Sequence, residues 1–102
     1  MNWEFVHEWL KSHGHVNENW DCVAVGEDSF YAEDKAENTF ISLFTRGGSE
    51  LIAVVGMNHP KLSVGGSTGV EVFSHEDVIY FLEDNLEYFY DELMRKVVEK
   101  NG

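Results

Sequence analysis

The sequence predicts an α+β fold in which an antiparallel β-meander of four to five strands is flanked on one face by an N-terminal helix and a long C-terminal helix. Apolar residues recur at helical spacing near both ends of the chain, whereas the middle consists of short apolar runs separated by glycines and polar turns. The 102 residues show no internal repeat, linker or low-complexity tract. We therefore expect a single acidic domain spanning residues 1–102.

The first helix is expected over residues 2–13. Asn2 can cap its start and Gly14 can end it. One side of this helix is apolar and the other is polar. The apolar side holds Phe5, Val6, Trp9 and Leu10, and the polar side holds Glu4, His7, Glu8 and Lys11.

A short strand is predicted at residues 20–25, followed by a turn at 26–29 that leads into Phe30 and Tyr31. The charged segment 33–38 is expected to be a solvated turn.

Residues 39–45 and 50–57 predict a β-hairpin, because two glycines between them permit the positive φ of a tight turn. If Gly47 and Gly48 form a two-residue loop, apolar residues pair across the strands. This register sets Phe44 opposite Leu51 and Ile41 opposite Val54.

The segment after this hairpin is expected to contain a strand at 61–64, a glycine-rich turn at 65–69 and a last extended segment at 70–73. Pro60 separates it from the preceding strand.

A long helix is predicted from Ser74 to about Lys100. Ser74 and Asp77 have the spacing of a capping box, in which each side chain bonds the backbone amide of the other residue. Apolar residues recur every three or four positions, so one side is expected to pack on the sheet. They are Ile79, Leu82, Leu86, Phe89, Leu93 and Val97.

The composition is strongly acidic, with 19 Asp and Glu against 7 Lys and Arg and a formal charge of −12. Such a charge repels phosphate backbones and anionic lipid, so we expect neither nucleic acid nor a membrane to be a direct partner. A basic protein is favoured instead. The longest apolar run, Leu51 to Val55, is too short to span a bilayer. Cys22 is the only cysteine and no secretory signal is evident, which favours the cytoplasm.

Much of the acidity falls on one face of the last helix, which we call the acidic strip. At 100° per residue its members lie within one arc opposite the apolar side. The acidic strip comprises Glu76, Asp77, Tyr80, Glu83, Asp84, Glu87 and Asp91. Its six carboxylates cover roughly 22 Å, or one charge about every 4 Å. A single DNA strand carries one phosphate about every 3.4 Å.

Two interpretations of the acidic strip are open. The solvated side of an amphipathic helix is commonly charged, and acids near a helix start interact favourably with its dipole. However, no Lys or Arg interrupts residues 76–91, and the pairs Glu83–Glu87 and Glu87–Asp91 place like charges four residues apart. This pattern indicates a purpose other than stability, and both a binding face and a solvated face stay open.

Other groupings point only weakly to chemistry. His13, His15 and Cys22 are zinc-ligand types but lack the spacing of a structural site. His13 is expected instead to pack partly beneath Trp9 and Leu10, and Cys22 to be a buried free thiol. The glycines at 65–69 lack the Lys and the following helix of a phosphate-binding loop. We predict no catalytic residues, metal or cofactor.

We therefore predict a non-enzymatic binding or inhibitor protein that blocks the basic, nucleic-acid-binding surface of a partner. The most specific form of this prediction is a DNA mimic encoded by a phage or mobile element against host restriction or CRISPR systems. One alternative is an immunity protein or antitoxin that neutralises a basic nuclease. Another is a small ligand- or metal-binding domain or enzyme. A homodimer is also open, because Tyr80, Tyr88 and Tyr90 flank the apolar side of the last helix.

Overall fold

The computed structural model describes residues 2–47, 50–72 and 74–101. The five strands form one antiparallel sheet in the order β1-β2-β3-β4-β5, so each strand pairs with its neighbour in sequence. The predicted α+β meander is confirmed. The elements are α1 (Glu4–Ser12), β1 (Cys22–Val25), β2 (Ser29–Asp34), β3 (Thr39–Arg46), β4 (Glu50–Asn58), β5 (Lys61–Glu71) and α2 (His75–Asn101).

The hydrophobic core lies between the two helices and one face of the sheet. Side chains alternate between the two faces along each strand. The strand register brings the side chains of the inner face side by side, as for Phe30, Leu43 and Ala53 on three neighbouring strands. The buried strand residues are Phe30, Ala32, Ile41, Leu43, Leu51, Ala53 and Val55, and the helices bury Val6, Leu10, Val78, Leu82, Leu86, Phe89 and Leu93 against them. Both helices thus cover the same face of the sheet.

Helix α1 is found as predicted but begins two residues later, at Glu4, so Trp3 and not Asn2 is at the N-cap position. Asn2 Oδ1 accepts a hydrogen bond of 2.9 Å from the Glu4 amide, and Gly14 takes a φ of 77° just beyond the helix end. Val6 and Leu10 are buried, while Trp9 is half-buried. Trp3, immediately before the helix, is also buried in the core.

The predicted turn at 33–38 is partly wrong. Glu33 and Asp34 continue β2, and the turn is confined to the four residues 35–38. Glu33 is held in the strand because its Oε2 accepts hydrogen bonds from Asn58 Nδ2 at 2.7 Å and from Tyr31 Oη at 3.2 Å.

The predicted hairpin exists, but its predicted register is wrong by one residue. Phe44 lies opposite Ile52, not Leu51, and Ile41 lies opposite Val55, not Val54. Arg46 pairs with Glu50 across the strands, so three residues connect them, of which 48 and 49 lie outside the described part. The ion pair between Arg46 Nη2 and Glu50 Oε1, at 2.9 Å, closes this end of the hairpin.

The predicted glycine-rich turn at 65–69 is wrong, because β5 extends from Lys61 to Glu71, although its pairing with β4 shifts register between Ser67 and Glu71. A Cβ on Gly65 would lie 2.4 Å from the carbonyl oxygen of Ala53, and one on Gly66 would lie 3.2 Å from the Phe89 ring. The glycines thus permit close packing of β5 against β4 and α2 rather than a reversal of the chain. Of the predicted segment 70–73, Val70 and Glu71 belong to β5, and Phe73 lies outside the described residues.

Helix α2 begins with the predicted capping box. The Ser74 amide donates to Asp77 Oδ2 and the Asp77 amide donates to Ser74 Oγ, each at 3.2 Å. The predicted apolar side packs on the core, with Ile79 and Val97 half-buried at its two ends. Within the described part of the chain, neither helix is long and apolar enough to cross a membrane.

Candidate functional site

The acidic strip lies along the solvent side of α2. Every carboxylate residue of the strip is exposed, and Tyr80 within it is 59% exposed. The opposite side of the same helix carries Val78, Leu82 and Leu86, which are buried. Packing of the apolar side therefore fixes the rotation of α2 and turns the strip outward along much of its length.

Several basic side chains contact groups outside the acidic strip. Lys11 pairs with Glu8 at 3.1 Å, and Arg95 pairs with Glu92 on the side of α2 next to the strip. Lys96 Nζ donates to the Ser63 carbonyl oxygen at 2.9 Å. Among the described residues, no ion pair involves Glu76, Glu83, Asp84, Glu87 or Asp91. These five strip carboxylates thus have no ion-pair partner within the described residues, and Arg95, four positions after Asp91 on α2, is paired with Glu92 instead.

Asp77 differs from the other strip carboxylates because it has a structural role. Its Oδ2 accepts the Ser74 amide in the capping box. The negative charge also lies at the helix N-terminus, where the macrodipole favours it. Asp77 is therefore explained by helix stability, and the carboxylates from Glu83 onward are the part of the strip that stability does not explain.

A stack of aromatic rings borders the strip where the end of α1 meets α2. Trp9 stacks on His13 with ring centroids 4.1 Å apart and on His15 with centroids 5.5 Å apart. His15 in turn stacks on Tyr90, with centroids 5.6 Å apart and planes 18° from parallel. Burial lowers the pKa of His15, the charge of His13 lowers it further, and Glu87 of the strip partly opposes both effects. His15 is therefore held toward its neutral form.

A cleft opens beside this stack, between the α1–β1 loop, the ends of β3 and β4, and α2. Its volume is about 310 Å³. The aromatic residues of its wall come from distant parts of the sequence, and burial raises the pKa of one of them, Tyr90, to about 12. The lining residues are Gly14, His15, Trp20, Thr39, Phe40, Gly56, Tyr90, Leu93 and Met94.

The histidine and cysteine grouping does not form a metal site. Cys22 is exposed on the edge strand β1, so the expected buried thiol is wrong. His13 and His15 are held by Trp9 rather than brought to Cys22. In the described part of the chain, the one group of three ligand types within 4.8 Å is Glu4, His7 and Glu8, on the surface of α1.

The face of the sheet that the helices leave uncovered is largely uncharged at its centre. Phe44 is 39% exposed there. Tyr31, Ser42, Ile52 and Val54 are half-buried on the same face. Homodimerisation stays a prediction, and this face is the second apolar surface, besides Tyr80 and Tyr88, that is available for it.

The sequence predicted the acidic strip and the packing of His13 on Trp9, but it missed the continuation of this stack to His15 and Tyr90 and the cleft. Trp9 and His13 are four residues apart on a helix, a spacing that places side chains together and was a usable signal. The cleft joins Trp20, Phe40 and Tyr90, and no local pattern brings these residues together. Comparison with protein-family models, with characterised proteins and with solved structures finds no match to this chain.

Proposed function

We propose that this protein is a small acidic inhibitor that binds, through the acidic strip, a basic surface with which another protein holds nucleic acid. In this proposal the carboxylates occupy the positions of successive phosphates along one DNA strand. The six carboxylates span roughly 22 Å, an average separation of about 4.5 Å, against a phosphate spacing of about 3.4 Å along one DNA strand. A phage or mobile element would use such a protein against a host restriction or CRISPR system.

The observation that carries the proposal is an exposed row of carboxylates that form no ion pair within the described residues. Glu83, Glu87 and Asp91 follow one another at intervals of four residues and are all exposed. Like charges at this spacing each cost about 0.2–0.5 kcal/mol in a helix. A basic partner would remove this repulsion on binding, and its attraction would also speed association.

The energetics of binding would come mainly from charge neutralisation. The protein has a formal charge of −12, so a cationic cleft is attracted from a distance and anionic competitors are repelled. DNA and the protein would compete for one surface of the partner.

An immunity protein against a basic nuclease would bind through the same electrostatic attraction. The identity of the recovered partner distinguishes such a protein from an inhibitor of a defence system.

The test is a pull-down from the native host with the immobilised protein, followed by elution with duplex DNA. Two variants with the same net charge serve as comparison. The strip variant carries Glu83→Gln, Glu87→Gln and Asp91→Asn. The loop variant carries Glu18→Gln, Glu27→Gln and Glu37→Gln, three exposed acids outside the strip.

We expect the wild type and the loop variant to retain a basic nucleic-acid-binding protein that DNA releases. The strip variant should not retain it, although circular dichroism shows that it is folded. Retention by the strip variant, or a partner that neither DNA nor salt releases, would refute the proposal.

A further inference from the structure

The cleft beside the acidic strip has the features of an anchor for one cationic side chain. Its wall contains the aromatic residues Trp20 and Tyr90 next to the aliphatic chains of Leu93 and Met94. Its volume of about 310 Å³ is at the small end of the range for ligand sites. A cleft of this size accommodates a single side chain or a small planar group.

The cleft provides aromatic faces instead of a buried counter-charge. Its wall contains no Asp, Glu, Lys or Arg. The two titratable lining groups, His15 and Tyr90, are both held toward their neutral forms by burial. A cation can therefore enter without displacing an existing ion pair, and the π-faces of Trp and Tyr attract it.

Carboxylates of the strip lie next to the mouth of the cleft. Tyr90 and Met94, which line it, follow Glu87 and Asp91 by three positions each on α2, so each pair shares one side of the helix. Glu87 also acts electrostatically on His15 in the cleft wall. The strip and the cleft therefore form one continuous surface, acidic along the helix and aromatic at this edge.

The planar wall favours arginine over lysine. The rings of Trp9, His15 and Tyr90 lie within 19° of parallel at each step, and His15 and Tyr90 of this stack line the cleft. A guanidinium group is planar, weakly hydrated and stacks on aromatic faces, whereas an ammonium is compact and strongly hydrated. The three methylenes of arginine would lie along the apolar part of the wall.

We propose that this cleft binds an arginine side chain of the basic partner, whose guanidinium stacks on the aromatic wall while its charge faces Glu87 and Asp91. This inference rests on the proposed function and names the contact that anchors it. Arginine is among the residues that most often dominate binding energy at protein interfaces.

The test uses two blocked tripeptides, acetyl-Gly-Arg-Gly-amide and acetyl-Gly-Lys-Gly-amide, titrated into the full-length protein and followed by NMR. The reporters are the indole N–H of Trp20 and the backbone amides of Gly14 and Gly56. Two matched variants carry the same added charge on exposed positions of α2. Met94→Arg places a competing guanidinium at the cleft, and Val98→Arg places it one turn further along, outside the cleft wall.

We expect saturable shifts at the cleft with the arginine peptide and an affinity about tenfold weaker for the lysine peptide. Met94→Arg should weaken arginine binding by about tenfold, whereas Val98→Arg should change it by about twofold or less. Equal affinities for the two peptides, or shifts confined to the acidic strip, would overturn the inference.

The same variants separate this inference from the proposed function. If Met94→Arg and Val98→Arg retain the recovered partner equally while the strip variant loses it, the arginine anchor is refuted and the proposed function stands. If the arginine peptide saturates the cleft but the strip variant still retains the partner, the cleft is a guanidinium site and the proposed function fails.

Discussion

His15 stacks on Tyr90, with their ring centroids 5.6 Å apart and their planes 18° from parallel. The contact joins the loop after α1 to the middle of α2, two segments far apart in sequence. It also removes the imidazole from much of the solvent, which is the largest cause of its lowered pKa. His15 therefore links the packing of the α1–β1 loop on α2, the protonation of its own imidazole, and Glu87 of the acidic strip.

Acidification should weaken the fold through His15. Because its folded-state pKa lies below the unfolded value of 6.5, the unfolded chain binds the proton more readily, and stability is lost as pH falls through this range. We expect the free energy of unfolding, measured by urea denaturation, to decrease between about pH 7.5 and about pH 6. In His15→Gln this decrease should be smaller, and an unchanged slope would contradict the role given to His15.

The placement of Gly65 within strand β5, and not in a turn, can be tested by substitution. An added Cβ would lie 2.4 Å from the Ala53 carbonyl oxygen and 3.0 Å from Val54 Cγ2, so β4 and β5 would have to separate locally. We expect Gly65→Ala to lower the free energy of unfolding by about 1–3 kcal/mol in chemical denaturation. Ser63→Ala, at an exposed position of the same strand, should change it by less than about 0.5 kcal/mol. Wild-type stability in Gly65→Ala would instead support the flexible turn expected from the sequence.

The capping box of α2 should contribute measurably to stability. Ser74→Ala removes the acceptor for the Asp77 amide and is expected to cost about 1 kcal/mol in thermal or urea unfolding. Asp77→Ala should cost a similar amount, and the double variant should cost less than the sum because the two hydrogen bonds are reciprocal. Additive losses would show that the two side chains act independently.

Neutralising the centre of the acidic strip should stabilise the protein. Glu87 is four residues from both Glu83 and Asp91, so Glu87→Gln removes two like-charge pairs. We expect the free energy of unfolding to rise by about 0.4–1 kcal/mol at low ionic strength and about pH 8, where histidines are neutral. The gain should shrink at high salt. A loss of stability would show that Glu87 is a structural residue.

The elements with strong local signals were predictable from the sequence. The periodicity from Ile79 to Val97, together with the Ser74–Asp77 spacing, defined the start and orientation of α2 and hence the exposure of the strip. The hairpin register was not predictable, since the two-residue and three-residue loops differ by one position. The ion pair between Arg46 and Glu50 closes the observed loop.

Tertiary contacts account for the remaining differences. Gly65 and Gly66 favour a turn locally, but close packing against Ala53 and Phe89 places them in a strand. Strand β1, which carries Cys22, is at the edge of the sheet and pairs only with β2. The exposure of Cys22 therefore depends on strand order. The cleft likewise depends on how the loop containing Trp20 packs beside Tyr90.

The central claim, that the acidic strip binds the partner, is tested most directly by the affinities of the strip and loop variants for the recovered partner. Both variants raise the net charge by three, so a difference between them reports position rather than total charge. We predict that the strip variant binds at least about tenfold more weakly than the loop variant at physiological salt. Equal affinities would contradict the account, because they would show that the partner responds only to overall charge.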